Sequence, residues 1–296
     1  MIVITTPTGD IGSQLLNLLL QDPDGEQLRV IVRDPGKLPA AVRDRVDIVT
    51  GSHGDPEVVG KAFAGADAAF WLAPPNQHAP SLEAAYAGFT RPAAEALTTY
   101  GVSHVVGVSA LGRSTPYAGR AGLVTATLAM DDLIANTGVA YRALANPSFM
   151  DNLLRQVVSI RDHGVFTYNG DPDRRTPFAA TRDIAGVAAR LLRDRSWTGT
   201  DEVPVLGPED LSANDLARIM SDVLGRPIRY ERESLDALAA RLKGYGLGDA
   251  FVGGMVDMMR AKDDGLDAGI RRTDETATPT TFRQWCEQVL KPAVLA

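Results

Sequence analysis

Short apolar runs alternate with helical patterns through the first half of the chain. Runs at residues 2–5, 28–32, 46–50, 68–72, 105–108 and 140–145 are rich in Val, Ile and Ala and bounded by turn residues, which predicts strands. Residues 10–21, 56–64, 80–100 and 120–137 carry apolar positions at helical spacing, with Leu15, Leu16, Leu19 and Leu20 forming one face of the first. Gly101 and Gly138 stand just past the last two of these helices, where a left-handed C-terminal residue is wanted. Asp22-Pro23-Asp24-Gly25 predicts a turn. Strands alternating with crossover helices build a parallel sheet covered on both faces. The expected fold is therefore α/β and doubly wound, with a small, mostly helical C-terminal part.

Beyond Asn146 the texture changes. A helix is expected from Arg182 through Leu192, a strand over 203–206, and a helix from the good N-cap Ser212 to Leu224. From Glu231 to Thr276 the chain is rich in Gly (Gly244, Gly246, Gly248, Gly253, Gly254) and Met (Met255, Met258, Met259). Glycine supplies hinges and methionine an adaptable apolar surface, so this stretch reads as a mobile helical lid or pocket wall, with an ordinary solvent-side helix pair as the alternative. The division expected is 1–150 for a nucleotide-binding core, to which residues 180–210 return, and 151–296 for a discontinuous substrate-binding part.

Composition narrows the function. A net charge of -7 over 296 residues, with no Lys/Arg run, argues against a nucleic-acid partner. The single cysteine, Cys286, beside Trp285, excludes a disulfide framework and reads as helix packing. His53, His78, His104 and His163 show no metal spacing, so no metal is expected. No apolar stretch approaches the ~20 residues of a membrane span. The chain opens directly on a strand without a basic leader, so a cytoplasmic protein away from the membrane is expected, as a monomer or small homo-oligomer.

The first strand runs into Thr6-Pro7-Thr8-Gly9-Asp10-Ile11-Gly12. Small residues between a strand and a helix let backbone N–H groups approach a pyrophosphate. Gly9 would allow that approach and Gly12 would let the helix pack closely, while Thr6 stands where such loops carry their first glycine. This is the start of a Rossmann fold. Arg33 ends the second strand, about 20 residues further on, where an acidic residue would hold the ribose hydroxyl of NAD and an Arg would accept the 2′-phosphate of NADP. NADP(H) is thus the expected cofactor, with Lys37 as a second basic contact. Asp34 could instead tie Arg33 into a surface pair.

These residues resemble the NmrA-like branch of atypical short-chain dehydrogenases/reductases. Thr8-Gly9-Asp10-Ile11-Gly12 is similar to that family's T-G-x-I-G, and Val32-Arg33-Asp34-Pro35-Gly36-Lys37 to its V-R-D-P-x-K. Phe70-Trp71-Leu72-Ala73-Pro74-Pro75 resembles its fourth-strand exit, and Asn146-Pro147-Ser148-Phe149-Met150-Asp151-Asn152 its R-P-x-x-F-M-x-N segment. Arg182-Asp183-Ile184-Ala185 and Leu206-Gly207-Pro208 are similar to its D-I-A and t-G-P. The resemblance spans the chain. It implies NADP(H) over Thr6, Thr8, Gly9, Asp10, Ile11 and Gly12, with further contacts from Ser52, Ala73, Asn146 and Phe149. The nicotinamide end would lie near Pro74, Ser109 and Pro147. Thr6, Ser52 and Asn146 depart from the family pattern, which has Gly, an acidic residue and Arg there.

The wider superfamily protonates its product with Tyr-x-x-x-Lys, and no such motif occurs here; Tyr117 is followed at the fourth place by Ala121, with Arg120 one short. Ser109, just after the fifth strand, and Tyr117 are the catalytic candidates, each a hydroxyl able to serve a developing oxyanion. Of Asp131 and Asp132, adjacent on a helix and ~100° apart, at most one can face inwards. The expected function is an NADPH-dependent ketoreductase acting on a ketone or quinone of a bulky, polycyclic aromatic secondary metabolite, as in antibiotic biosynthesis. A phenolic hydroxyl on such a substrate could assist protonation. The alternative is a non-catalytic NADP(H)-binding redox sensor.

Overall fold

A computed structural model describes residues 1–22 and 25–296; Pro23 and Asp24, at the heart of the expected turn, lie outside the described residues. Six strands of the first half are β1 (Ile2–Ile4), β2 (Leu28–Val32), β3 (Asp47–Thr50), β4 (Ala68–Trp71), β5 (His104–Ala110) and β6 (Ala140–Asn146). They are followed by β7 (Ser148–Phe149), β8 (Val165–Tyr168), β9 (Thr176–Ala179), β10 (Thr200–Pro204), β11 (Asp210–Leu211) and β12 (Arg229–Arg232). The helices are α1 (Asp10–Leu20), α2 (Ala40–Arg43), α3 (Pro56–Phe63), α4 (Phe89–Tyr100), α5 (Leu123–Ala135) and α6 (Val157–His163). After them come α7 (Thr181–Arg193), α8 (Ala213–Leu224), α9 (Leu235–Gly244), α10 (Asp249–Asp263), α11 (Phe282–Trp285) and α12 (Lys291–Leu295).

Seven parallel strands form the central sheet in the order β10-β6-β5-β4-β1-β2-β3. The alternation of side chains along each strand sorts the core into two layers. Ile2 and Ile4, Val30 and Val32, Phe70, Val106 and Leu144 pack under α1 and α7. Val3, Ile31, Ala69, Trp71, Val105 and Tyr141 pack under α3, α4 and α5. This is the expected doubly wound Rossmann arrangement, and it gathers the carboxyl ends of β1, β4, β5 and β6 along one edge, where ligands of such sheets bind.

Several boundaries differ from expectation for local reasons. The helix expected over 80–100 is a π-helical turn at Ala84–Gly88 followed by α4. Pro92 lies inside α4; it lacks an N–H and clashes with the carbonyl four residues back, which the wider turn relieves. The strand expected over 203–206 is β10, shifted toward the N-terminus by its pairing with β6.

The rest of the chain builds a smaller apolar cluster. Met150, Phe166 and Phe178 pack there with Ile219 and Met220 of α8, and with Phe282, Trp285 and Cys286. Burial pushes the Cys286 thiol well up, so it stays protonated and serves packing. In the Gly/Met stretch the glycines serve close packing as well as turns. A methyl group at Gly254 of α10 would lie 2.7 Å from Leu82, and one at Gly122 would lie 2.0 Å from the Gly254 carbonyl, so α10 seats on the start of α5 backbone to backbone. Met258 faces the α5 cluster, while Met255 and Met259 pack against Leu238, Leu242 and Val252. The segment after α10 then crosses the end of β10, with Leu206 N donating to Thr276 O at 2.9 Å and Thr278 N to Leu206 O at 2.7 Å.

Candidate active site

The β1–α1 loop is built around Thr6. Its φ of +49° is a left-handed conformation, which explains why a glycine is the usual occupant of such a position. The turn is closed by Gly9 N donating to Thr6 O at 3.0 Å. A methyl group on Gly12 would lie 2.1 Å from Thr6 O, so only glycine lets α1 come this close. Gly9 is the N-cap of α1 and no side chain caps the helix, so its first N–H groups and their positive end are available to an anion. Thr6 Oγ1 is buried without a hydrogen-bond partner. An uncapped helix start, an unpartnered hydroxyl and a backbone that tolerates no side chain fit a pyrophosphate. Thr8 and Asp10 are exposed beside this turn, and Ile11 is buried beneath it.

Arg33 and Lys37 are both exposed near the tip of β2. Asp34 does not neutralise Arg33: its carboxylate accepts from Gly36 N at 2.9 Å and caps the short 3-10 turn Pro35–Lys37. Among the described residues no carboxylate stands within ion-pair distance of either cation. Ser52, exposed after β3, accepts from Gly54 N at 3.2 Å. Its neighbour His53 is buried edge-on to Trp71 and Phe89, with centroids 5.1 and 4.9 Å away, and Nε2 is 3.0 Å from Leu72 O. Burial lowers its pKa from 6.5 to about 4, with the Arg33 charge acting in the same direction and the Leu72 hydrogen bond opposing. His53 is therefore neutral and holds the β3 and β4 exits together. His104 is structural too, with Nε2 3.1 Å from Trp197 O, whereas His78 is exposed.

Ala73 and Pro74 are half-buried at the β4 exit, and Pro147 is buried at the end of β6. Asn146 Nδ2 donates to Ser109 O at 3.0 Å and Leu144 O at 2.6 Å, which leaves Oδ1 buried and unpartnered. Ser109 points to the helix face of the sheet, where its hydroxyl donates to Asp131. Asp131 also accepts from Tyr141 Oη at 2.6 Å, and Arg113 lies 3.5 Å away. Burial raises the Asp131 pKa from 3.8 to about 6, against the pull of Ser109, Tyr141 and Arg113. Asp132 is exposed and pairs with Arg113 at 2.6 Å, so the inward residue of the two is Asp131. The Ser109 proton is thus committed to a carboxylate.

Tyr117 is elsewhere. Its hydroxyl donates to Asp264 O at 2.9 Å, and Arg120 lies over its ring at 5.3 Å. Both line an open cleft of about 610 Å³ between the start of α5 and α10. The structure does not bring Ser109 and Tyr117 together, and neither hydroxyl has an idle proton.

A second, more enclosed cavity of about 70 Å³ begins one residue past Pro147. Ser148, Phe149, Phe166, Tyr168, Phe178, Met259, Lys262 and Asp267 are among its walls. Ser148 Oγ and Tyr168 Oη are 2.8 Å apart, and Lys262 forms an ion pair with Asp267.

A family model described as NAD(P)H-binding matches residues 7–195. The chain is 26% identical over 271 residues to quinone oxidoreductase 2 of Escherichia coli, covering 91% of this chain and 89% of that protein. It is 30% identical over 246 residues to a (4-alkanoyl-5-oxo-2,5-dihydrofuran-3-yl)methyl phosphate reductase of Streptomyces griseus, covering 82% and 80%. The solved structure of Citrobacter sp. triphenylmethane reductase complexed with NADP(H) superposes with a TM-score of 0.78 at 20% identity, over 97% of this chain and 99% of that one. The chain belongs to the NAD(P)H-binding family, with homologues in the NmrA-like group of atypical short-chain reductases. It is an NAD(P)H-dependent oxidoreductase.

In this reductase the sequence pointed to the loop, the β2 tip and the strand exits, and the fold brings these to one edge of the sheet. It did not point to Tyr168, Lys262 or Asp267. These residues stand on β8, at the end of α10 and beyond it, and no local spacing connects them. Ser148 was legible only as part of the Asn146–Asn152 segment. Among the described residues no cluster of His, Cys, Asp and Glu suits a metal ion, and no helix is long and apolar enough to cross a membrane.

Proposed function

We propose that this reductase uses NADPH in preference to NADH and transfers a hydride to a ketone or quinone carbonyl of a bulky, hydroxylated aromatic compound. The observation that carries the reading is the cavity beginning at Ser148, immediately past the strand end where the nicotinamide is expected. Its walls combine Phe149, Phe166, Phe178 and Met259 with a few convergent polar groups, and its volume of about 70 Å³ takes in the reacting edge of an acceptor whose remaining bulk lies outside it. Quinone, the compound named for one of the relatives, is conjugated and takes up a hydride readily. Thr6, Gly9 and Gly12 would hold the pyrophosphate, Arg33 and Lys37 the 2′-phosphate, and Pro74, Asn146 and Pro147 the nicotinamide end. When bound, NADPH supplies the hydride. The chain's own work is to orient the acceptor, exclude water and serve the oxygen on which charge develops.

The test follows NADPH and NADH oxidation with a panel of naphthoquinones and polycyclic ketones. Turnover with NADPH preferred is expected. Arg33→Ala should lower kcat/KM for NADPH by roughly 10- to 100-fold, as for loss of a charge-assisted hydrogen bond, and leave NADH nearly unchanged. Equal losses with both cofactors would remove Arg33 as the phosphate reader. Absence of turnover across the panel would overturn the carbonyl-reductase reading.

A further inference from the structure

The fold assembles a tyrosine–lysine pair that the sequence does not contain as a local motif. Tyr168 ends β8 with its phenol 2.8 Å from Ser148 Oγ. Lys262, near the end of α10, faces the same cavity and is paired with Asp267. The Lys262 and Asp267 side chains are only 12% and 3% exposed. A buried ion pair is a poor source of stability, because desolvation consumes most of the attraction. This one is also incompletely satisfied, since Asp267 Oδ1 is buried with no hydrogen-bond partner. A buried acceptor without a donor beside a cavity is what a bound hydroxyl would complete. The ammonium is held above its ordinary range: burial opposes the charge, and Asp267 and then Tyr168 outweigh it. Lys262 and Tyr168 line the same cavity.

We propose that Tyr168 is the proton donor of the reductase, oriented by Ser148 and charge-balanced by Lys262, and that Asp267 Oδ1 selects acceptors bearing a hydroxyl beside the reacting carbonyl. The inference rests on the carbonyl-reductase reading above. Hydride addition opens the carbonyl π bond onto oxygen. The Tyr168 O–H bond breaks, a new O–H bond forms on the acceptor, and the phenolate left behind faces the Lys262 ammonium. Water returns the proton through the Ser148 hydroxyl. The acceptor gains two electrons, which bound NADPH would supply as the hydride. The acceptor's own hydroxyl donates to Asp267 Oδ1.

The experiment compares wild type, Tyr168→Phe, Ser148→Ala and Asp267→Asn with a hydroxynaphthoquinone and with the parent naphthoquinone. Tyr168→Phe should lower kcat by roughly 100-fold or more, the lower range for a general acid, with KM changed less than about threefold and the fluorescence-monitored NADPH affinity unchanged. Ser148→Ala, a milder change, should cost about tenfold and decides the matter if Tyr168→Phe does not fold. A second readout needs no cofactor: binding of the hydroxynaphthoquinone to cofactor-free protein, read from its visible absorption. Asp267→Asn should weaken that binding about tenfold more than it weakens binding of the parent naphthoquinone. If wild type turns over and both Tyr168→Phe and Ser148→Ala retain more than a third of kcat, the proton-donor assignment is overturned while the reductase reading stands. If Asp267→Asn weakens both quinones equally, the hydroxyl selection is overturned. If none of the carbonyl acceptors supports NADPH oxidation by wild type, the carbonyl-reductase reading itself falls, and the proton-donor assignment with it.

Discussion

Two buried titrating groups with opposed shifts give this protein a testable acid response. His53 is held neutral among Trp71, Phe89 and the Leu72 carbonyl, and its pKa falls from 6.5 to about 4, chiefly by burial. Between those pH values the unfolded chain binds a proton at this site that the folded chain refuses. Stability is therefore intact above pH 6.5 and is lost as the pH falls toward 4, by about 3 kcal/mol in all. Asp131 acts in the other sense. Burial raises its pKa from 3.8 to about 6, so the folded chain takes up a proton before the unfolded chain does, and about 3 kcal/mol is regained as the pH falls from 6 to 3.8. The two contributions nearly cancel in the wild-type protein.

His53→Gln removes one of them. Urea unfolding followed by tryptophan fluorescence at pH values from 4 to 8 gives the difference in stability between variant and wild type, in which every other titrating group cancels. The variant should be less stable at pH 8, where its packing is poorer. The gap should then close by about 3 kcal/mol as the pH falls to 4, because the variant escapes the His53 penalty. Asp131→Asn should show the reverse drift below pH 6, and the double variant should run roughly parallel to wild type. A His53→Gln difference that changes by less than about 1 kcal/mol over this range would refute the reasoning. The response bears on function because His53 adjoins Ser52 and senses the Arg33 charge, so its protonation loosens the edge expected to hold the adenosine end.

The phosphate loop yields two further predictions. Thr6→Gly relieves the left-handed strain and removes the unpartnered hydroxyl; the cofactor-free protein should gain about 1 kcal/mol in urea unfolding, while NADPH affinity by fluorescence falls. Gains in both would show that the Thr6 hydroxyl does not serve the cofactor. Gly12→Ala drives a methyl group to 2.1 Å from Thr6 O and should cost about 1–3 kcal/mol together with most NADPH binding; wild-type affinity in this variant would contradict the close approach of α1.

The sequence alone determined what depends on local periodicity and local sterics. Alternating strands and helices specified the doubly wound sheet, because each strand must bury both faces and each helix one. The Thr6–Gly12 loop and Arg33 were legible because their chemistry is contained in a few consecutive residues and a fixed distance along one βα unit. Tertiary packing decided the rest. Ser109 looked like a site hydroxyl at the end of a strand, but only packing against α5 shows that it donates to Asp131. Tyr117 looked like a stranded partner for a missing lysine, and the fold turns it to Asp264 in another cleft. The Gly-rich stretch read as hinges, yet Gly122 and Gly254 are small because two backbones touch there, a constraint set by the partner surface and not by either segment. Ser148, Tyr168, Lys262 and Asp267 come from segments far apart in the chain, and their convergence depends on how β8 and α10 pack beyond the sheet edge. No one-dimensional spacing encodes such a meeting, because it is fixed by which surfaces exclude water together once the whole chain has collapsed.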